Sequence, residues 1–171
     1  VAAKKSKLTK VTVPNTANFK GYGLNVTEVG DNAFKAMKKL KKVTFGDNVK
    51  FIGNAAFSNC KKLNKINFKN VTTIGNNAFA GCKTLKKLTI GSKVTTIGKN
   101  AFKKCTKLKT VVIGKSVKTI KAKAFTKDNK IKKITFKGKK LKTVKKNALS
   151  SKVKKNIKTK KTKLKGNKKA I

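Results

Sequence analysis

The feature that most constrains this chain is a repeat of 22 to 24 residues. An Ala-Phe pair recurs at intervals of 23, 22, 23 and 23 residues, and an Ala-Leu pair follows after 24 more. Two other apolar patterns keep the same register: an L-x-x-Φ-x-Φ run, in which Φ is apolar, and a V-x-x-I-G phrase. Units this short cannot bury their own apolar residues, so they must stack and share one continuous core. The pairs begin at Ala33, Ala56, Ala78, Ala101, Ala124 and Ala148.

All three patterns occur in the stretch from Leu85 to Cys105, LKKLTIGSKVTTIGKNAFKKC. The L-x-x-Φ-x-Φ run alternates apolar and polar residues, as a strand with one buried face does, and six or seven such strands should lie parallel. The Ala-Phe pair is followed by small or polar residues, which predicts a short helical or 3-10 turn on the opposite wall. These elements predict a solenoid of α/β-type repeats, with about six coils of 22–24 residues.

Units of the form I-G-x-x-A-F-x-x-C-x-x-L-x-x-I-x-I resemble the BspA-type leucine-rich repeat. The resemblance covers roughly residues 26–149. It implies a curved, right-handed leucine-rich-repeat solenoid with a parallel sheet on its concave side. Such proteins are exported by many bacteria and are usually assigned to surface attachment and binding, but the resemblance implies no particular ligand.

The 171 residues are expected to form a single repeat domain. Residues 1–25 should be a first coil with an insertion, because the strand pattern of Leu8 to Val13 is interrupted at Pro14. The aromatic residues Phe19 and Tyr22 of that insertion are expected to cap the open end of the core; the alternative is a binding loop. Residues 26–149 carry the regular repeats, and residues 150–171 are either a degenerate last coil or a basic tail.

The charge of the chain is extreme, since 48 lysines and no arginine face four acidic residues, giving a net charge of +44. Repulsion between lysines of neighbouring coils should lower stability at low salt and favour a monomer. Non-specific binding of polyanions is expected at low salt. Because lysine lacks the guanidinium fork, the surface suits diffuse attraction more than the recognition of a nucleotide sequence.

Three cysteines, Cys60, Cys82 and Cys105, share one position in successive units, three residues after the Phe. We interpret them as a structural column of buried thiols that fills a tight turn. Met37 and Asp128 occupy the same position in the flanking units, which fits packing better than chemistry. The chain has no histidine to complete a metal site, and one disulfide would leave a thiol over.

The outward positions of the predicted strands form a candidate concave binding face. One interpretation is a solvated β surface, for which threonine is well suited; the other is a basic trough that binds an anionic polymer. The first column contains Lys42, Lys65, Lys87, Thr110 and Lys133, and the second contains Thr44, Asn67, Thr89, Val112 and Thr135.

Catalysis is not expected, because histidine and arginine are absent and carboxylates are few. Asp31 is interpreted as a helix cap, and no phosphate-binding loop or nucleophile elbow occurs. No cofactor or metal is predicted. No apolar stretch is long enough to span a membrane, and no signal peptide is visible.

Three hypotheses for function follow. The first is a secreted or wall-associated bacterial binding scaffold, held by anionic surface polymers or by a host or cell-surface protein. The second is a non-specific nucleic-acid or polyanion-binding protein, and the third is a purely structural module of a longer cell-surface protein.

Overall fold

The computed structural model describes residues 7–138, 140–145 and 147–150. The prediction that residues 150–171 form either a degenerate last coil or a basic tail concerns residues that lie, apart from Ser150, outside the described part of the chain. The described residues form short strands and turns, with no helix among them. In chain order the strands are β1 (Lys10–Val13), β2 (Thr16–Phe19), β3 (Tyr22–Asn25), β4 (Glu28–Val29), β5 (Lys42–Phe45), β6 (Phe51–Ile52), β7 (Lys65–Ile66), β8 (Thr73–Ile74), β9 (Lys87–Thr89), β10 (Thr96–Ile97), β11 (Thr110–Ile113), β12 (Thr119–Ile120), β13 (Lys133–Phe136) and β14 (Thr143–Val144).

The L-x-x-Φ-x-Φ runs form parallel strands, as predicted. They make two three-stranded sheets on one wall of the solenoid, in the orders β1-β5-β7 and β9-β11-β13. Equivalent residues of successive coils face each other in register, such as Val43 and Ile66, or Val111 and Ile134. Since side chains of a strand point alternately to its two faces, the residues at the Φ positions of the run are directed into the core.

A second parallel sheet comes from the V-x-x-I-G phrase, for which the sequence predicted no strand. Its six two-residue strands follow the order β4-β6-β8-β10-β12-β14, so the chain passes this wall six times and makes about five complete turns. Two residues are too few to show an alternating pattern. The glycine permits contact between coils: a Cβ on Gly98 would lie 2.5 Å from backbone atoms of Gly75.

The Ala-Phe wall differs from the prediction, because it contains turns and not helical or 3-10 turns. Each coil places one residue at positive φ just before the Ala-Phe pair and another two residues after the Phe, as Asn77 (55°) and Gly81 (75°) do. Left-handed residues cannot continue a right-handed helix. The backbone forms hydrogen bonds to the next coil instead: the Phe79 amide donates to the Ala101 carbonyl at 2.8 Å.

A stack of phenylalanines runs through the core. The rings of Phe34, Phe57, Phe79, Phe102 and Phe125 follow one another with centroids 5.2 to 5.4 Å apart and planes within 7° of parallel. All but Phe34 are fully buried. The buried columns from the two sheet walls meet this stack, so one continuous core joins all coils.

The insertion after β1 is an antiparallel hairpin of β2 and β3. Lys20 and Gly21 at its tip both have positive φ, and the Asn15 carbonyl accepts from the Val26 amide at 2.8 Å where the chain returns. Phe19 and Tyr22 are 62% and 73% exposed. The expectation that these rings fold over the open end of the core is therefore wrong, and the hairpin projects from the first coil.

Candidate anion-binding face

The wall formed by β1, β5, β7, β9, β11 and β13 carries the candidate site. We call this wall the lysine face, defined by the exposed lysines of these strands and of the residue before each strand. Strand pairing places Lys10 beside Lys42 and Lys42 beside Lys65. The face contains Lys10, Lys41, Lys42, Lys65, Lys86, Lys87, Lys109, Lys132 and Lys133.

The first predicted column lies on this wall, although one member is less accessible than expected. Lys42, Lys65, Lys87 and Lys133 are exposed, whereas Thr110 is half-buried between its two lysine neighbours. The column is continuous from Lys42 to Lys65 and again from Lys87 to Lys133, but no pairing joins the two parts.

The side chains of the second predicted column are less exposed to solvent than those of the first. Thr44, Val112 and Thr135 are half-buried, and Asn67 and Thr89 are exposed. Asn67 lies beyond the end of β7, so it is not paired with Thr89.

Sequence reasoning left one strand lysine out of the site. Lys10 extends the column by one coil, and the alignment of Leu8-x-x-Val11 with Leu40-x-x-Val43 would have located it. The sequence interpretation of the lysines before the strands is a basic edge that solvates the solenoid or holds it to a charged envelope. They line the same cavities as the strand lysines, since one cavity of about 420 Å³ is bordered by Lys41 together with Lys10, Lys42 and Lys65.

Among the residues that the structure describes, no carboxylate lies on the lysine face. Asp47 lies in a corner and pairs with Lys69 at 3.0 Å. Asp31 accepts from the Asn54 amide at 2.5 Å and from its Nδ2 at 3.1 Å, so it bridges two coils and does not cap a helix. Glu28 lies in the other sheet and Asp128 is buried. The positive potential of the face is thus opposed only by solvent and counterions.

The cysteine column lies inside the core. Cys60, Cys82 and Cys105 are buried free thiols, and their Sγ atoms lie 3.0 to 3.4 Å from the carbonyl oxygens of Phe34, Phe57 and Phe79. Burial raises the pKa of Cys60 to about 11 and that of the other two well above the ordinary value. No cluster of metal-ligating side chains occurs among the described residues.

A family model described as "BspA type Leucine rich repeat region" matches residues 27–158 with six copies. The chain belongs to the BspA-type leucine-rich repeat family. The two sheet walls and the turn wall are its repeat, and the lysine face is a surface of that repeat. No curated protein matches the chain.

Solved structures of bacterial leucine-rich repeat proteins share the BspA-type solenoid. One from Eubacterium ventriosum is 25% identical, with a TM-score of 0.66 over 81% of this chain and 34% of its own. One from Bacteroides ovatus is 30% identical, with a TM-score of 0.55 over 73% and 39%. A cell surface protein from Faecalibacterium prausnitzii is 24% identical, with a TM-score of 0.53 over 77% and 48%, and shows the fold alone. The chain spans less than half of each of these proteins. In the part of the chain that the structure describes, no helix is long and apolar enough to cross a membrane.

Proposed function

We propose that this BspA-type repeat is a non-enzymatic binding scaffold of the bacterial cell surface whose lysine face binds an anionic polymer. The observation that carries the proposal is the pairing of Lys10, Lys42 and Lys65 in register on a wall without carboxylates. Parallel strands lie about 4.8 Å apart, so such lysines repel one another at low ionic strength. A polyanion lying along the wall removes this repulsion, and its release of counterions drives binding.

Several observations support a scaffold over a nucleic-acid-binding protein. Single-stranded nucleic acids are usually held by aromatic rings on which bases stack. The exposed aromatic residues Phe19 and Tyr22 lie on the hairpin and Phe51 lies in the other sheet, so none accompanies the lysines. Membership of the BspA-type repeat family supports the location that we propose.

The test compares two variants with equal charge. The face variant replaces Lys42, Lys65, Lys87 and Lys133 by serine, and the control replaces four exposed lysines elsewhere. Binding to long-chain polyphosphate is measured over a series of NaCl concentrations. The slope of log K against log [NaCl] should fall by about 3 in the face variant, because each lost phosphate contact removes 0.7 to 0.9. The control lysines are Lys39, Lys62, Lys99 and Lys118.

Equal slopes in the face variant and the control would refute the proposal, because binding would then follow net charge alone. Single-stranded DNA of matched length serves as the second polymer. A clear preference for DNA over polyphosphate would favour the nucleic-acid hypothesis instead.

A further inference from the structure

The lysine face is interrupted between β7 and β9. In the other coils the backbone closes this edge: the amides of Lys109 and Thr110 both donate to the Lys86 carbonyl, at 2.8 and 3.3 Å. The equivalent amides of Lys86 and Lys87 make no backbone hydrogen bond to the preceding coil, within the residues that the structure describes. Two N–H donors therefore lie at the gap where hydrogen bonds between β7 and β9 are missing.

A shortened corner occurs in the same coil as the gap. The corner between the sheets is Phe68-Lys69-Asn70-Val71 in this coil, whereas the corners Phe45–Val49, Ile90–Val94 and Ile113–Val117 have one residue more. This is the origin of the single 22-residue interval. β7 ends at Ile66 and does not pair with β9, although the two coils remain close at the corner, where a Cβ on Gly91 would lie 2.4 Å from the Phe68 carbonyl oxygen.

The Thr84 side chain joins the two coils beside the gap. Thr84 Oγ1 lies 3.1 Å from the Lys61 carbonyl oxygen and 3.0 Å from that of Leu63. These carbonyls are not the acceptors of the ladder, which in other coils are those of Lys41, Lys86 and Lys109 and correspond to the Asn64 carbonyl at the gap. The gap therefore leaves two backbone donors without backbone partners among the described residues, with lysine side chains around them.

The gap opens into a cavity of about 400 Å³ that is rich in donors. Four lysines, one asparagine and one threonine border it, and no acidic residue does. The neighbouring cavity around Lys10 and Lys42 is of similar size, but its amides are used in the backbone ladder. The lining residues of the gap cavity are Asn64, Lys65, Thr84, Lys86, Lys87 and Lys107.

We propose that this gap binds one phosphate or sulfate ester group, and so gives the lysine face a defined attachment point for a phosphorylated or sulfated polymer. The inference rests on the proposed function, because the gap lies within the lysine face. Adjacent backbone amides bind anion oxygens well, and lysines add charge. A tetrahedral oxyanion offers oxygens to the Lys86 and Lys87 amides on one side and to Asn64 and Lys65 on the other. A planar carboxylate has two oxygens and leaves donors on one side unpaired.

The first experiment repairs the corner. A glycine inserted between Phe68 and Lys69 restores the 23-residue unit and keeps every lysine. Inorganic phosphate and sulfate are titrated into both proteins at fixed ionic strength, with acetate as the carboxylate probe, and amide chemical shifts are followed by NMR. In the parent chain, phosphate should shift the Lys86 and Lys87 amides most. The repaired variant should bind phosphate about tenfold more weakly, since hydrogen bonds to a charged group are lost.

A second pair of variants keeps the proposal testable if the insertion disturbs folding. Lys87→Ser removes a lysine at the gap, and Lys42→Ser removes the matching lysine from the intact sheet. Lys87→Ser should weaken phosphate binding about fivefold more than Lys42→Ser does.

Three results would overturn the site: equal loss in these two variants, undiminished binding in the repaired chain, or acetate binding as tight as phosphate. If the face variant still binds polyphosphate more weakly than its control does, the proposed function stands without a phosphate site at the gap. If the two variants bind polyphosphate equally, the proposed function itself is overturned.

Discussion

At the scale of single residues, Asp128 is the least expected side chain in the core. It occupies the position at which Cys60, Cys82 and Cys105 lie in the preceding coils, and it is fully buried. Neither carboxylate oxygen has a hydrogen-bond partner in the described part of the chain. Burial raises its pKa from 3.8 to about 8, because the ionised carboxylate would lose its hydration in the core. The core therefore favours the neutral acid.

This residue should give the protein an unusual dependence of stability on pH. Because the pKa is higher in the fold than in the unfolded chain, the stabilisation is complete below about pH 4 and is lost as pH rises through 8. Between pH 5 and 8 the free energy of unfolding should fall by on the order of 1 kcal/mol per pH unit. With no histidine in the chain, few other groups titrate in that window.

Denaturant titrations from pH 5 to 8 would measure this effect. Asp128→Cys, which continues the thiol column, should flatten the profile and raise stability at pH 8. Asp47→Asn, at an exposed ion pair, should leave the slope unchanged and is the control. A parent profile that is already flat would show that Asp128 does not carry the effect.

At the scale of elements, the phenylalanine stack should dominate the stability of the turn wall. Phe79 packs between Phe57 and Phe102, at 5.2 and 5.4 Å. Phe79→Ala should lower the free energy of unfolding by about 3 to 5 kcal/mol because it leaves a cavity. Phe79→Leu, the residue found in the last coil, should cost about 1 kcal/mol. Denaturant midpoints followed by circular dichroism would give these values.

Phe19→Ala is the matched control, because this ring lies on the projecting hairpin and is 62% exposed. It should change stability by less than about 0.5 kcal/mol. A large loss there would mean that the hairpin supports the core after all.

The turn wall also shows where the sequence misleads. Ala-Phe with small neighbours has the composition of a helical turn, and the prediction followed that composition. The residues with positive φ prevent a helical turn, and the sequence indicates those positions only weakly. Asn77 and Asn100 suit positive φ, but Lys104, Lys123 and Ala55 adopt it too. Those three residues are held there by hydrogen bonds to the next coil, which a single unit cannot reveal.

At the scale of the whole molecule, the net charge of +44 should make stability depend on salt. The melting temperature should rise as NaCl increases to about 0.5 M, because the Debye length falls from about 10 Å at 0.1 M toward 3 Å at 1 M. The variant with serine at Lys42, Lys65, Lys87 and Lys133 should gain less from salt. Thermal melts in a NaCl series would measure both, and a melting temperature independent of salt would contradict the repulsion.

The repeat made the overall solenoid predictable, because three apolar patterns in register leave few ways to stack the chain. It also predicted which residues lie on the lysine wall, such as Lys42 and Lys65. It could not predict that the wall is interrupted before Lys87. The interruption is a matter of hydrogen-bond geometry between β7 and β9, which the pattern of apolar residues does not specify.

The one-residue deletion after Phe68 also matters for how such chains change over generations. Each coil contacts only its neighbours, so the deletion alters one junction and leaves the rest of the stack intact. A duplication of the 22-residue unit would carry the altered junction with it. Slippage in a repetitive gene could thereby multiply the gap along the wall, and a family of such surfaces could differ in the number and spacing of their gaps while sharing one core.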